Sequence, residues 1–130
     1  MDECLILDAA NTGARQIHHL IPWEFLGIGK QGFDDAFNKV LFKSGWHPSN
    51  PAMNGFDIPE LLRNGKKFHI GSHPIYNEKL GEALENAKSL TGQALLNEMN
   101  RITARCREEL TNAYNSNKGI DEHFATITSL

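Results

Sequence analysis

The sequence predicts an α+β fold, mostly helical, in a single domain. Three observations carry this expectation. A chain of 130 residues supplies one hydrophobic core but not two. The first half holds a short β-branched and apolar run enclosed by turn signals, and the second half carries two long apolar stripes at helical spacing.

Taken in order, residues 1–12 read as a loose leader, and Asn11-Thr12-Gly13 has turn chemistry. Residues 15–21 end in β-branched and apolar residues and are closed by Pro22, which predicts a strand. A Gly29-Lys30-Gln31-Gly32 turn follows. The spacing of Phe33, Ala36, Phe37, Val40 and Leu41 predicts a helix over 34–43, ended by Ser44-Gly45. Residues 46–59, rich in proline and asparagine, predict an irregular loop with a short extended piece at 55–58 and a tight turn at Asn54-Gly55. Residues 60–64 fit one helical turn, stopped by Gly65.

The remainder predicts two helices. Ser72 suits an N-cap and Pro74 a first turn, and the stripe Tyr76, Leu80, Leu84, Ala87 gives an amphipathic helix broken at Thr91-Gly92. A longer helix places Leu95, Met99, Ile102, Cys106, Leu110 and Ala113 on one face, a stripe that reads as core packing rather than a cofactor box. Residues 115–119 end it, and the tail with His123 carries no signal.

Composition narrows the function classes. Hydrophobic residues make up 40% and charged residues 22%, as in a soluble globular protein. No apolar run approaches the roughly 20 residues of a membrane helix, and the N-terminus lacks the basic-then-apolar pattern of a secretory signal. Cys4 and Cys106 form no CxxC pair, which argues against a zinc knuckle or a disulfide framework; a buried Cys106 and an exposed Cys4 are expected. Net charge is −3, which by itself disfavours a polyanionic partner. Residues 13–79 nevertheless carry eight basic and six acidic side chains, so the acidic surplus lies outside the histidine-bearing segment.

Chemistry concentrates in the histidines. His18 and His19 are adjacent on the predicted strand, where successive side chains face opposite ways, so one can serve a metal and the other a substrate. His73 and Asn77 are four apart at the start of a predicted helix and share a face, where a ring nitrogen and an amide oxygen could hold one cation. His69 is a candidate phosphate or metal contact, grouped with Lys66 and Lys67 as substrate-binding residues; Lys39, Lys43 and Arg63 are further candidates for backbone contacts. His47 and His123 read as structural or solvated.

The runs Gln16-Ile17-His18-His19-Leu20-Ile21-Pro22, Asn54-Gly55-Phe56-Asp57-Ile58-Pro59 and His69-Ile70-Gly71-Ser72-His73-Pro74-Ile75-Tyr76-Asn77 occur in that order. Together they resemble the HNH, or ββα-metal, nuclease superfamily, in particular the clade with an Ala-His-His motif found in C-terminal domains of bacterial polymorphic toxins. The resemblance covers about residues 13–80, leaving 81–130 as a helical extension within one nuclease domain. Ile17 stands where the clade has alanine, and Asn77 where members vary between histidine and asparagine.

The resemblance implies a ββα-metal core, a short hairpin plus a helix. It implies His18 and His73 as metal ligands with Asn77 as a third, His19 as general base, and Asn54 as the residue tying down the loop that holds the His19 segment. One divalent ion, zinc, magnesium, manganese or nickel, is expected. The implied activity is endonucleolytic cleavage of DNA with little sequence preference. The implied setting is a toxin domain delivered from a bacterial producer into a target-cell cytoplasm, countered by a cognate immunity protein. An RNase acting through the histidine pair, or a non-catalytic module stabilised by metal, are the alternatives.

Overall fold

The computed structural model describes residues 5–26, 34–69 and 73–130. Expectations for Cys4, for the 29–32 turn, for Phe33 and for Ser72 lie outside the described residues. The architecture is α+β and mostly helical, with one small sheet. Strands β1 (Leu5–Ile6), β2 (Arg15–His19) and β3 (Gly55–Pro59) form a sheet in the order β1-β3-β2. The helices are α1 (Asp35–Lys43), α2 (Pro51–Asn54), α3 (Pro74–Ala87), α4 (Gly92–Asn115) and α5 (Ile120–Phe124), with a 3-10 turn at Trp23–Leu26; α3, α4 and α5 pack on one another, α1 on α4, and α2 on β3.

The antiparallel pair β2–β3, in register from Arg15 opposite Pro59 to His19 opposite Gly55, and the later helix α3 form the ββα unit. β2 is shorter than the expected 15–21 strand for a local reason. After His19 the chain leaves the ladder and bonds to Asn54 instead: Leu20 N–H donates to its carbonyl and Ile21 N–H to its side-chain Oδ1.

Asn54 therefore ends a helical turn rather than making a tight turn with Gly55, which is extended (φ −108°, ψ 146°). The turn α2, inside the expected loop, is explained by Pro51 in its first turn and by Asn50, whose side chain accepts from Ala52 and Met53 N–H. Residues 60–64 are not helical. Leu61 bridges Lys67, Leu62 N–H donates to the Lys66 carbonyl, and Gly65 supplies the positive φ (85°) that turns the chain back.

Residues 5–12, expected to be loose, are tied to the body. β1 runs parallel to β3, and Arg15 donates to the carbonyls of Leu7, Asp8, Asn11 and Asp57. Asp8 accepts from Arg63 and from the Tyr114 hydroxyl.

The helical stripes pack as their spacing predicts. Leu95, Met99, Ile102, Cys106, Leu110 and Ala113 are all buried along α4, against Tyr76, Leu80 and Leu84 of α3 among others. Burying a large apolar side chain is worth about 1.5–3 kcal/mol, so these faces dominate the fold's stability. α1 begins with Asp34 accepting from Phe37 N–H at 2.8 Å. The tail, silent in the sequence, contributes α5, whose Ile120 and Phe124 are buried. Among the described residues no helix is long and apolar enough to cross a membrane.

Candidate metal centre

The sheet and two later segments converge on three imidazoles. Burial alternates along the end of β2: Ile17 and His19 are exposed, and His18 points inward with 5% of its surface exposed. His69 follows Phe68, whose N–H donates to the Glu60 carbonyl and whose carbonyl accepts from Ile120 N–H, so that segment is pinned on both sides. His73 sits at the N-cap of α3.

One nitrogen from each of His18, His69 and His73 lies within 4.8 Å of the others. Their ring centroids are 5.0–5.5 Å apart. The Tyr76 ring makes edge contacts with His18 and His73, and its buried hydroxyl donates to the Leu20 carbonyl at 2.6 Å. It forms a rigid floor that joins α3 to the end of β2.

Electrostatics favours the neutral form of two of these rings, His18 and His69. Burial, and then the fields of His73, His69 and His19, hold the His18 imidazole well below its ordinary range; burial and His73 lower His69 in the same direction. Nε2 of His18 is buried and has no hydrogen-bond partner among the described residues. Such an orphan is costly unless something accepts its lone pair. A divalent cation fits the donor set: three imidazoles are nitrogen ligands of the kind that zinc and nickel favour.

Asn77 stands against the centre, with its Oδ1 3.0 Å from His73 Nδ1. The structure thus places His69, expected among the substrate contacts, beside His18 and His73, and sets Asn77 against His73. His69 and His73 carry the same four-residue spacing as His73 and Asn77. The spacing signal was present twice, and the sequence could not choose between the two pairs.

His19 ends β2 on the open face, opposite Gly55, which adds no side chain to cover it. Asn54 is fully buried, and its amide nitrogen donates to the carbonyls of Ile21 and Pro48 while its oxygen accepts from Ile21 N–H. All of its hydrogen-bonding capacity goes into holding the chain just after His19 against the loop before α2. Lys66 and Lys67 line a cavity of about 380 Å³ that His73 also lines, together with Asp121 and Glu122 of α5.

The sequence offered no sign of Asp121. Helix α3 has no cap from the His73 side chain; the Asp121 carboxylate instead accepts from Ile75 N–H (3.3 Å) and Tyr76 N–H (2.9 Å). His123 is structural, bonded to the buried carboxylate of Glu109 at 2.7 Å. His47 is exposed and bonds Ser49.

A family described as a nuclease family of the HNH/ENDO VII superfamily with conserved AHH matches residues 9–124. The chain belongs to that family. The AHH match runs through α3, α4 and into α5, well past the 13–80 stretch that carries the visible motifs, so the helical extension is part of the nuclease. No curated protein and no solved structure matches the chain. In this AHH nuclease the alanine position is Ile17, which is 54% exposed on the open face of the sheet. The larger side chain takes no room from the core there and leaves the inward turn of His18 undisturbed.

Proposed function

We propose that this AHH nuclease hydrolyses DNA phosphodiester bonds with one divalent ion held by His18, His69 and His73, and with His19 as general base. The observation that carries the reading is the buried His18 imidazole, which has a nitrogen within 4.8 Å of nitrogens of His69 and His73 and an Nε2 without a hydrogen-bond partner among the described residues. Bound there, a divalent ion would act as a Lewis acid toward a phosphate oxygen and offset the charge that builds in the transition state.

The chain's own residues do the rest. His19, solvent-accessible and next to a ligand in the chain, takes a proton from the attacking water on a ring nitrogen. Asn54 fixes the segment that carries it. Asn77 orients His73, and Lys66 and Lys67 neutralise the phosphates that flank the scissile one. Among the described residues no set of side chains suited to reading base edges stands at the centre, which favours cleavage with little sequence preference. A metal-free RNase using the two adjacent histidines as acid and base is less well served, because the buried nitrogen of His18 cannot exchange protons with a polymer.

On the resemblance to polymorphic toxin domains, the reading extends to a toxin delivered into a target-cell cytoplasm and neutralised by an immunity protein. Growth arrest on expression inside bacteria, relieved by His19→Ala, is the expected sign. For the chemistry itself, purified protein should cut plasmid with zinc, nickel, manganese or magnesium, and EDTA should stop it. His19→Ala should lower the rate by about 10²–10⁴ while metal binding persists. Cutting that survives EDTA, or full activity in His19→Ala, would overturn the assignment.

A further inference from the structure

Three rings stand together on the surface a short way past His19. Trp23, in the 3-10 turn, is 50% exposed, and Phe42, on the outer side of α1, is 42% exposed. Between them is His47, which stacks on Phe42 (centroids 5.1 Å apart, planes at 28°) and meets Trp23 edge-on at 6.5 Å. The His47 ring is fixed because its Nδ1 accepts from Ser49 N–H at 3.1 Å and lies 2.7 Å from the Ser49 hydroxyl.

These rings come from three segments, and one side chain of the site braces two of them. The Asn54 amide bonds Ile21, just before Trp23, and Pro48, just after His47. Trp23 follows His19 by four positions, a span of at most about 14 Å. Lys39 and Lys43 are exposed on the helix that carries Phe42, with Lys39 three residues away on its face. Neither lysine enters an ion pair among the described residues.

Large exposed aromatic surface is costly in water, and here the rings stay half-exposed while packed against one another. Planar rings beside unpaired lysines suit one ligand chemistry well: nucleobases that stack and a phosphate backbone that pairs with ammonium groups. We infer that Trp23, His47 and Phe42 form a stacking platform for unpaired bases of the substrate strand, next to the cleavage centre. The inference rests on the nuclease reading and sharpens it: the enzyme engages single-stranded or locally opened nucleic acid in preference to intact duplex.

The chain has two tryptophans, and Trp46 is fully buried, so ligand-induced quenching of tryptophan emission reports Trp23. The protein is titrated in EDTA with a short single-stranded DNA, the matching RNA, and the blunt DNA duplex. Saturable quenching by the single strands, DNA or RNA, and little by the duplex is the expected result. Anisotropy of labelled single strands should show roughly ten-fold or more weaker binding for Trp23→Ala and Phe42→Ala, with Trp23→Phe retaining most of the affinity. No quenching by any strand, equal quenching by duplex, or unchanged affinity in both alanine variants would overturn the platform. Plasmid cutting by the wild type with metal present is the separate check on the nuclease reading. A protein that cuts but shows none of these effects sinks the platform alone.

Discussion

His18 is held neutral by its surroundings, and that neutrality has a cost when no ion is bound. Burial and the neighbouring His73 and His69 keep its imidazole well below the ordinary value of 6.5 in the folded chain. The unfolded chain takes up a proton near 6.5, whereas the folded one resists it. Stability from this residue is therefore complete above about pH 6.5 and is lost as pH falls through that value towards the lowered one. Melting of EDTA-treated protein from about pH 8 to about pH 5 should show that decline, and His18→Gln should flatten it; an unchanged slope would mean that His18 is not the group responsible. The roles of His69 and Asn77 separate in the same spirit. Asn77 reaches His73 Nδ1, so Asn77→Ala should weaken ion binding by the roughly 10–100-fold typical of an outer partner. His69→Ala, which removes a ligand, should weaken it further. Calorimetric titration giving the opposite order would make Asn77 the ligand.

At the level of elements, the centre depends on how α3 begins. His73 occupies its N-cap without capping it, and the freed N–H groups of Ile75 and Tyr76 are taken by Asp121 of α5. Asp121 thus acts as a positioning residue, acting on His73 through the helix that it fixes. Asp121→Ala should cost about 0.5–2 kcal/mol of stability, as loss of a cap does, and should also weaken ion binding. Asp121→Asn keeps an acceptor and should recover much of both. Stability lost with ion affinity intact would reduce Asp121 to a plain cap. The hairpin end of the site shows the same dependence between segments: β2 stops at His19 because Asn54, from α2, captures the backbone of Leu20 and Ile21. One buried amide therefore sets both the end of the strand and the course of the chain after His19.

For the whole molecule, an ion shared by His18 of β2, His69 and the N-cap residue His73 would cross-link parts of the chain that unfolding separates. Binding to the folded state alone adds about 2.7 kcal/mol at a hundred-fold excess over Kd, a shift of several degrees in Tm. A zinc or nickel titration should raise Tm in this way and EDTA should reverse it, whereas a Tm indifferent to both would argue against the site. The long stripes of α3 and α4, the start of α1 and the extended piece at Gly55 were legible in the sequence, because hydrophobic period, caps and turn residues act over a few neighbours. The helix α5 and the anchoring of residues 5–12 were not, since each is held by distant partners such as Asp57, Tyr114 and Phe68, while α2 and the turn at 60–67 rest on short local signals, the Asn50 cap with Pro51 and Gly65, that a proline- and asparagine-rich stretch obscures. The three histidine- and asparagine-bearing motifs, taken together and in order, made a metal-assisted hydrolytic centre the chemistry to expect through their resemblance to the HNH superfamily; no one of them carries that chemistry alone. Only the tertiary structure decided which imidazoles meet, that His69 joins His18 and His73 with Asn77 against His73, and that Asp121 bonds the start of the helix beneath them. Convergence of segments far apart in the chain depends on how the core packs, which no local pattern encodes.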